Sequence, residues 1–161
     1  MTEPRKWALI LGVSSGFGAA TARKLASAGW DIFGVHLDRR GTMPAVDALR
    51  SEIAAHGREA VFFNGNAASD EFRRETIDAI GSVLTTEGGR IALLMHSLAF
   101  GTLIDLVPLD DGKSVNRKQL EMTMDVMANS LVYWTQDVVA SGTMGPGRVF
   151  AMTSEGSEKA W

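Results

Sequence analysis

Three glycines stand close together in Gly12-Val13-Ser14-Ser15-Gly16-Phe17-Gly18, directly after the apolar run Trp7–Leu11. Glycine lets a backbone turn tightly, and it removes the side chains that would hold a phosphate away from the N–H groups of a helix start. Pyrophosphate binding is the chemistry such a loop supports when a buried strand precedes it and a helix follows. A second polar group, His36-Leu37-Asp38-Arg39-Arg40, closes the next apolar run. Guanidinium forks suit phosphate, whereas a carboxylate accepts from hydroxyls. Farther along stand Asn66-Ala67, His96-Ser97-Leu98-Ala99, Asn129 and Ser154. His96 has neither a partner base nor metal-ligand neighbours at useful spacing, so a packed, hydrogen-bonded role is expected for it.

These residues need elements to position them, and the hydrophobic pattern supplies a regular set. Apolar runs at Trp7–Leu11, Asp31–Leu37, Glu59–Asn64, Arg90–Met95 and Gly147–Thr153 read as strands. Between them, helical spacing covers Gly16–Ala28, Pro44–His56, a stretch from Ser69 to about Thr86, and a long helix over Arg117–Ala140. Gly29 and Gly57 are the stops of the first two. A polar insert through Pro108, Asp110, Asp111 and Gly112 precedes the long helix. Strands alternating with helices of this length predict a parallel sheet with right-handed crossovers. In the long helix Met122, Val126, Asn129 and Tyr133 share one predicted face, with Met124, Met127, Leu131 and Val138 nearby. Methionines so spaced are expected to fill a core or a subunit interface.

The totals narrow the function classes. The chain has 161 residues, 45% hydrophobic and 22% charged, enough for one globular domain with a core. A formal net charge of -3 gives no electrostatic footprint for nucleic acid. With no cysteine, disulfides and cysteine-based metal sites or nucleophiles are excluded, and no metal site is expected. The apolar run near the N-terminus is followed by Gly and Ser rather than a cleavage pattern, and no stretch reaches the ~18 apolar residues of a membrane span. A cytoplasmic protein without a membrane partner is the expectation.

The loop spacing G-x-x-x-G-x-G differs from the G-x-G-x-x-G of other dinucleotide dehydrogenases and resembles the short-chain dehydrogenase/reductase family, with the match extending along the whole chain. Leu11 stands where that family often has Thr. The resemblance implies a Rossmann-type α/β fold, a doubly wound parallel sheet of order 3-2-1-4-5, and an NAD(P)(H) site built from Gly12, Ser14, Ser15, Gly16, Phe17 and Gly18. The position that is acidic in NAD-preferring relatives is His36 here. Arg39 and Arg40 beside it favour NADP(H) over NAD(H). Asp38 has two readings, an inward ribose ligand or a partner for an arginine. Where the family has an Asp-hydrophobic pair for the adenine, this chain has Asn66 and Ala67.

Met95-His96-Ser97-Leu98-Ala99-Phe100-Gly101 resembles the His-Ser-(Ile/Leu)-(Gly/Ala)-Phe-Ala pattern of the enoyl-acyl-carrier-protein reductase branch. That resemblance implies that Ser97, Leu98 and Ala99 pass along the adenosine ribose and phosphates. Asn129 aligns with the Asn that bends the helix and holds a relay water in catalytic relatives, and a structural role stands beside that reading. Ser154 falls on the Ser that binds the substrate carbonyl. Enoyl reductases often carry a Tyr there, so the two fingerprints disagree. An acyl or enoyl thioester is favoured over an unspecified ketone or alcohol. The family also implies a homo-dimer or tetramer through the helix at 117–140.

The family's proton donor is a Tyr followed by Lys four or six residues on, and general acid catalysis needs such a group. The single tyrosine here, Tyr133, has Asp137 four residues later and no Lys until Lys159. The expectation is therefore a chain that supplies the cofactor half and stops before the Tyr/Lys segment and the C-terminal strands. Strand five would then be an open edge lined by Val149, Phe150 and Met152, prone to aggregation or pairing. A non-catalytic nucleotide-binding module and one half of a split enzyme are the alternative readings.

Overall fold

The first strand, β1 (Lys6–Leu11), is apolar from Trp7 onward, and every one of those residues is buried. A computed structural model describes residues 5–108 and 112–154. Further strands are β2 (Asp31–His36), β3 (Ala60–Asn64), β4 (Arg90–His96) and β5 (Met144–Ala151). Helices α1 (Gly16–Ser27), α2 (Met43–Ala55) and α3 (Asp70–Glu87) follow the first three strands. After β4 come α4 (Arg117–Met124), a π-helical turn over Asp125–Asn129, and α5 (Ser130–Ala140). All strand pairs are parallel, and the order is β3-β2-β1-β4-β5. Asp110 and Asp111 of the expected polar insert lie outside the described residues, as do Met1–Pro4 and 155–161.

Helices cover both faces of the sheet. On one face Ala8, Ile10 and Ile32 meet Ala19, Ala22 and Ala26 of α1 and Val46, Leu49 and Ile53 of α2. On the other, Trp7, Leu9, Leu11, Phe33 and Val35 meet Ile77, Ile80 and Leu84 of α3 and Trp134 and Val138 of α5. Alternate residues of β1 thus serve opposite layers, as the period of two requires. Each buried aliphatic side chain is worth about 1.5–3 kcal/mol over exposure. Trp7 stacks on Phe33 with ring centroids 4.1 Å apart, which fixes β1 against β2 below the glycine loop.

Two elements depart from expectation. β5 begins at Met144 rather than Gly147, taking in Gly145 and Pro146. Pro lacks an N–H and reads as a breaker, but β5 pairs only with β4 among the described residues, and an edge strand tolerates it. Val149, Phe150 and Met152 are exposed there.

The long helix is one rod interrupted by the π-turn, and its buried stripe is Ser130, Trp134 and Val138. The expected face of Met122, Val126, Asn129 and Tyr133 is not the core face. α4 has no buried residue, and Tyr133, Met124 and Met127 are exposed. Buried Arg73 ties α3 to α5 through Asp137 (Nε to Oδ2 2.6 Å), with its guanidinium 5.3 Å from the Tyr133 ring.

Candidate functional site

Parallel strands place their carboxyl ends on one edge, and the loops that leave that edge carry nearly all the residues singled out above. Gly12 N–H and Val13 N–H both donate to the Val35 carbonyl, at 2.9 and 3.1 Å, and Ser97 N–H donates to the Leu11 carbonyl at 2.9 Å. The glycine loop is thereby pinned to β2 on one side and to the segment after β4 on the other. Gly12 has φ +86°, and a Cβ there would overlap the Ser97 carbonyl oxygen. A Cβ on Gly18 would overlap the carbonyl of Gly12. Gly16 is different. Its φ is +51°, and a Cβ would meet nothing within 4 Å. Gly12 and Gly18 let the loop close on itself, while the side-chain direction of Gly16 opens on free space at the start of α1. Ser15 makes no side-chain cap and the first turn holds no acid, so that helix start suits an anion. Phe17 is exposed beside it.

The end of β2 is tightly organised. His36 is buried, with Nδ1 3.0 Å from Asp38 Oδ2. Asp38 N–H donates to Asn64 Oδ1 at 3.0 Å, and Asn64 Nδ2 donates back to the Asp38 carbonyl at 2.9 Å. Burial alone would raise the Asp38 carboxyl, but hydrogen bonding from Thr42, Ser14 and His36 outweighs it and holds the group below its usual range. Burial pushes the His36 imidazole down, so it stays neutral and donates from Nδ1. The Asp38 carboxylate is held by His36, Thr42 and Ser14 and has no ion pair with an arginine among the described residues. Arg39 and Arg40 are exposed and, among the described residues, have no ion pair or side-chain hydrogen bond.

After β3, Asn66 Oδ1 accepts from Ala68 N–H at 3.0 Å, and the buried Ala67 carbonyl accepts from Trp134 Nε1 at 2.8 Å. After β4, Leu98 packs against the core while Ala99 is exposed. His96 is buried with Nε2 2.8 Å from Ser130 Oγ, and Ser130 Oγ donates to the Val126 carbonyl at 2.8 Å. Burial lowers the His96 pKa as well.

Asn129 ends the π-turn, and its Nδ2 donates to Asp125 Oδ1 at 2.8 Å. Met152 N–H donates to the His96 carbonyl at 2.9 Å, so the chain leaves β5 beside the end of β4, with Ser154 exposed two residues farther on. Glu155 and Lys159 lie outside the described residues. Among the described residues no three His, Asp or Glu side chains gather as a metal site, and no helix is long and apolar enough to cross a membrane. Sequence reasoning passed over Ser130, Trp134 and Asn64. The four-residue spacing of Ser130, Trp134 and Val138 was the available signal for the first two, but nothing local marks Asn64, whose partner is 26 residues away.

A parallel sheet of order β3-β2-β1-β4-β5, with a glycine cradle after its first strand, defines a Rossmann-type fold of the short-chain dehydrogenase/reductase kind. Residues 12–161 match the sequence profile of the family described as Enoyl-(Acyl carrier protein) reductase, and the chain belongs to that family. The enoyl-[acyl-carrier-protein] reductase [NADH] of Burkholderia pseudomallei is 36% identical over 105 residues, covering 60% of this chain and 25% of that protein. A mutant short-chain dehydrogenase/reductase of Serratia marcescens shares the fold with a TM-score of 0.79 at 18% identity, over 96% of this chain and 58% of that one. A blue fluorescent protein from a metagenomic library, solved with NADPH, has a TM-score of 0.76 at 25% identity, over 96% of this chain and 57% of that one. The chain therefore spans about a quarter of the length of the curated relative and somewhat over half of the solved ones.

Proposed function

We propose that this chain is the dinucleotide-binding part of an NAD(P)(H)-dependent oxidoreductase acting on a carbonyl or enoyl compound, with an acyl thioester as the favoured substrate. The observation that carries the reading is Gly16, whose left-handed backbone and empty side-chain direction leave room for a phosphate at the start of α1. When bound, the dinucleotide supplies a hydride donor or acceptor. Every other part of the chemistry falls to protein groups. Gly12, Ser14, Ser15, Gly16, Phe17 and Gly18 hold the pyrophosphate, while Asn66 and Ala67 bound the adenine. Ser97, Leu98 and Ala99 line the path of the ribose. Ser154 donates to the substrate carbonyl and Asn129 holds a water for proton transfer. Tyr133 lies on α5 against Arg73, and no proton-donor role is assigned to it.

NADP(H) is the favoured cofactor. Asp38 is engaged within the protein by His36, Thr42 and Ser14, whereas Arg39 and Arg40 are the uncommitted polar groups at the adenosine end. Two guanidinium groups outweigh one carboxylate for a 2′-phosphate. The exposed apolar residues Leu120, Met124, Met127 and Val132 support pairing of the 117–140 rod with a second copy, as a dimer or tetramer. The test is a titration of the chain with NADPH and NADH, followed by the same titration of Gly16→Ala. Binding that the wild-type chain shows and the variant loses supports the site, and equal binding by both places the dinucleotide elsewhere.

A further inference from the structure

The observation that the proposed reading does not absorb is the indole of Trp134. The side chain is fully buried on α5, and its Nε1–H reaches 2.8 Å to the carbonyl of Ala67, in the loop between β3 and α3. That loop is held from several sides. Gly65 N–H donates to the His36 carbonyl at 2.8 Å, and a Cβ on Gly65 would overlap the Phe72 ring. Ser69 N–H donates to the Asn66 carbonyl at 2.9 Å, and Ser69 Oγ caps α3 by accepting from Phe72 N–H. Within this frame Asn66 Oδ1 accepts from the N–H of Ala68, and the residue itself is exposed. The Ala67 carbonyl would otherwise be a buried acceptor, and the Trp134 N–H satisfies it. An unsatisfied buried carbonyl would favour rotation of the peptide plane toward water, and that rotation would move Asn66 and Ala67 together.

We infer that Trp134 is a positioning residue for the adenine subsite, setting the peptide plane of Ala67 and through it the outward face of Asn66. The inference rests on the nucleotide-binding reading above. It assigns to α5 a role in cofactor affinity, although α5 supplies no group that touches the cofactor. One turn earlier on the same helix, Ser130 holds His96 at the end of β4. A single helix thus braces the loops on both sides of β1 at the carboxyl edge. The brace at Trp134 acts on the adenosine half of the ligand.

The test is a binding comparison on the chain as it stands, using Trp134→Phe, which keeps an aromatic ring in the core and removes the N–H. NADPH, 5′-AMP and nicotinamide mononucleotide are titrated against both proteins, with thermal melts as the check on folding. The expected result is about three- to tenfold weaker binding of NADPH and AMP, the size of one lost hydrogen bond, with nicotinamide mononucleotide unchanged. A folded variant that matches wild type for AMP, or that loses both half-ligands equally, overturns the inference. If the variant fails to fold, the indole N–H resonance of Trp134 in the wild-type chain is followed instead. A shift on adding AMP and none on adding nicotinamide mononucleotide supports the inference, and the absence of an AMP shift overturns it. A wild-type chain that binds neither NADPH nor AMP overturns the nucleotide-binding reading itself, which separates the two failures.

Discussion

His96 Nε2 lies 2.8 Å from Ser130 Oγ, and this contact joins the last residue of β4 to the first residue after the π-turn that ends in Asn129. A π-turn widens a helix by one residue and is frequent at functional sites. Here the Val126 carbonyl accepts from Ser130 Oγ, so the wide turn is stitched by a side chain as well as by backbone. Ser130→Ala is expected to leave the His96 nitrogen without its partner and to cost about 1–3 kcal/mol of stability, read as a lower denaturant midpoint. An unchanged midpoint would mean that the contact is replaceable by water.

The glycine loop offers a sharper contrast. Gly12→Ala would drive a methyl group into the Ser97 carbonyl at φ +86°, and a loss of about 3 kcal/mol or more is expected. Gly16→Ala meets only open space, so its cost is the left-handed backbone alone, about 1–2 kcal/mol. Dinucleotide affinity should nevertheless fall by about tenfold or more, because that methyl occupies the cradle. Thermal melts and titrations on the two variants check both halves.

The proposed preference for NADP(H) rests on a few side chains. Replacing Arg39 and Arg40 by Ala should weaken NADPH by about tenfold while leaving NADH within about twofold, since only the former carries the 2′-phosphate. Asp38→Ser should strengthen NADPH and disturb the Ser14 side of the loop. Equal losses for both cofactors in the arginine variant would place those arginines outside the site.

Acid should destabilise the chain early. His36 and His96 have pKa values lowered by burial from 6.5, so the unfolded chain takes up protons that the folded chain refuses. Their contribution is complete above pH ~6.5 and is lost as pH falls toward the depressed folded values, each at up to about 1.4 kcal/mol per pH unit. Asp38, lowered from 3.8, adds a further loss at lower pH still, as the carboxylate protonates. Melting temperatures from pH 7.5 to 5 should fall in wild type, and the slope should be shallower in His96→Gln.

The buried character of β1 and β2 and the place of the glycine loop were legible because they are local patterns of period, length and turn chemistry, whereas the strand order came from the family resemblance. The hydrogen-bonded setting of Asp38 was not legible. It depends on Asn64, 26 residues away, and on the burial of His36. The long helix was legible as a helix, but the stripe by which it meets the core was not. Met122, Val126, Asn129 and Tyr133 have helical spacing, but the buried residues of α5 are Ser130, Trp134 and Val138, with Leu131 packed against the same core. The early start of β5 at Met144 was hidden by Pro146, which an edge strand accepts.

The most direct test is a calorimetric titration of the folded chain with NADPH and NADH. Saturable one-to-one binding at micromolar to sub-millimolar concentrations (about 1 μM–1 mM), competed by AMP and tighter for NADPH, is the expected result. A chain that melts cooperatively yet takes up neither dinucleotide at millimolar concentration would contradict the assignment of the glycine loop as a cofactor site.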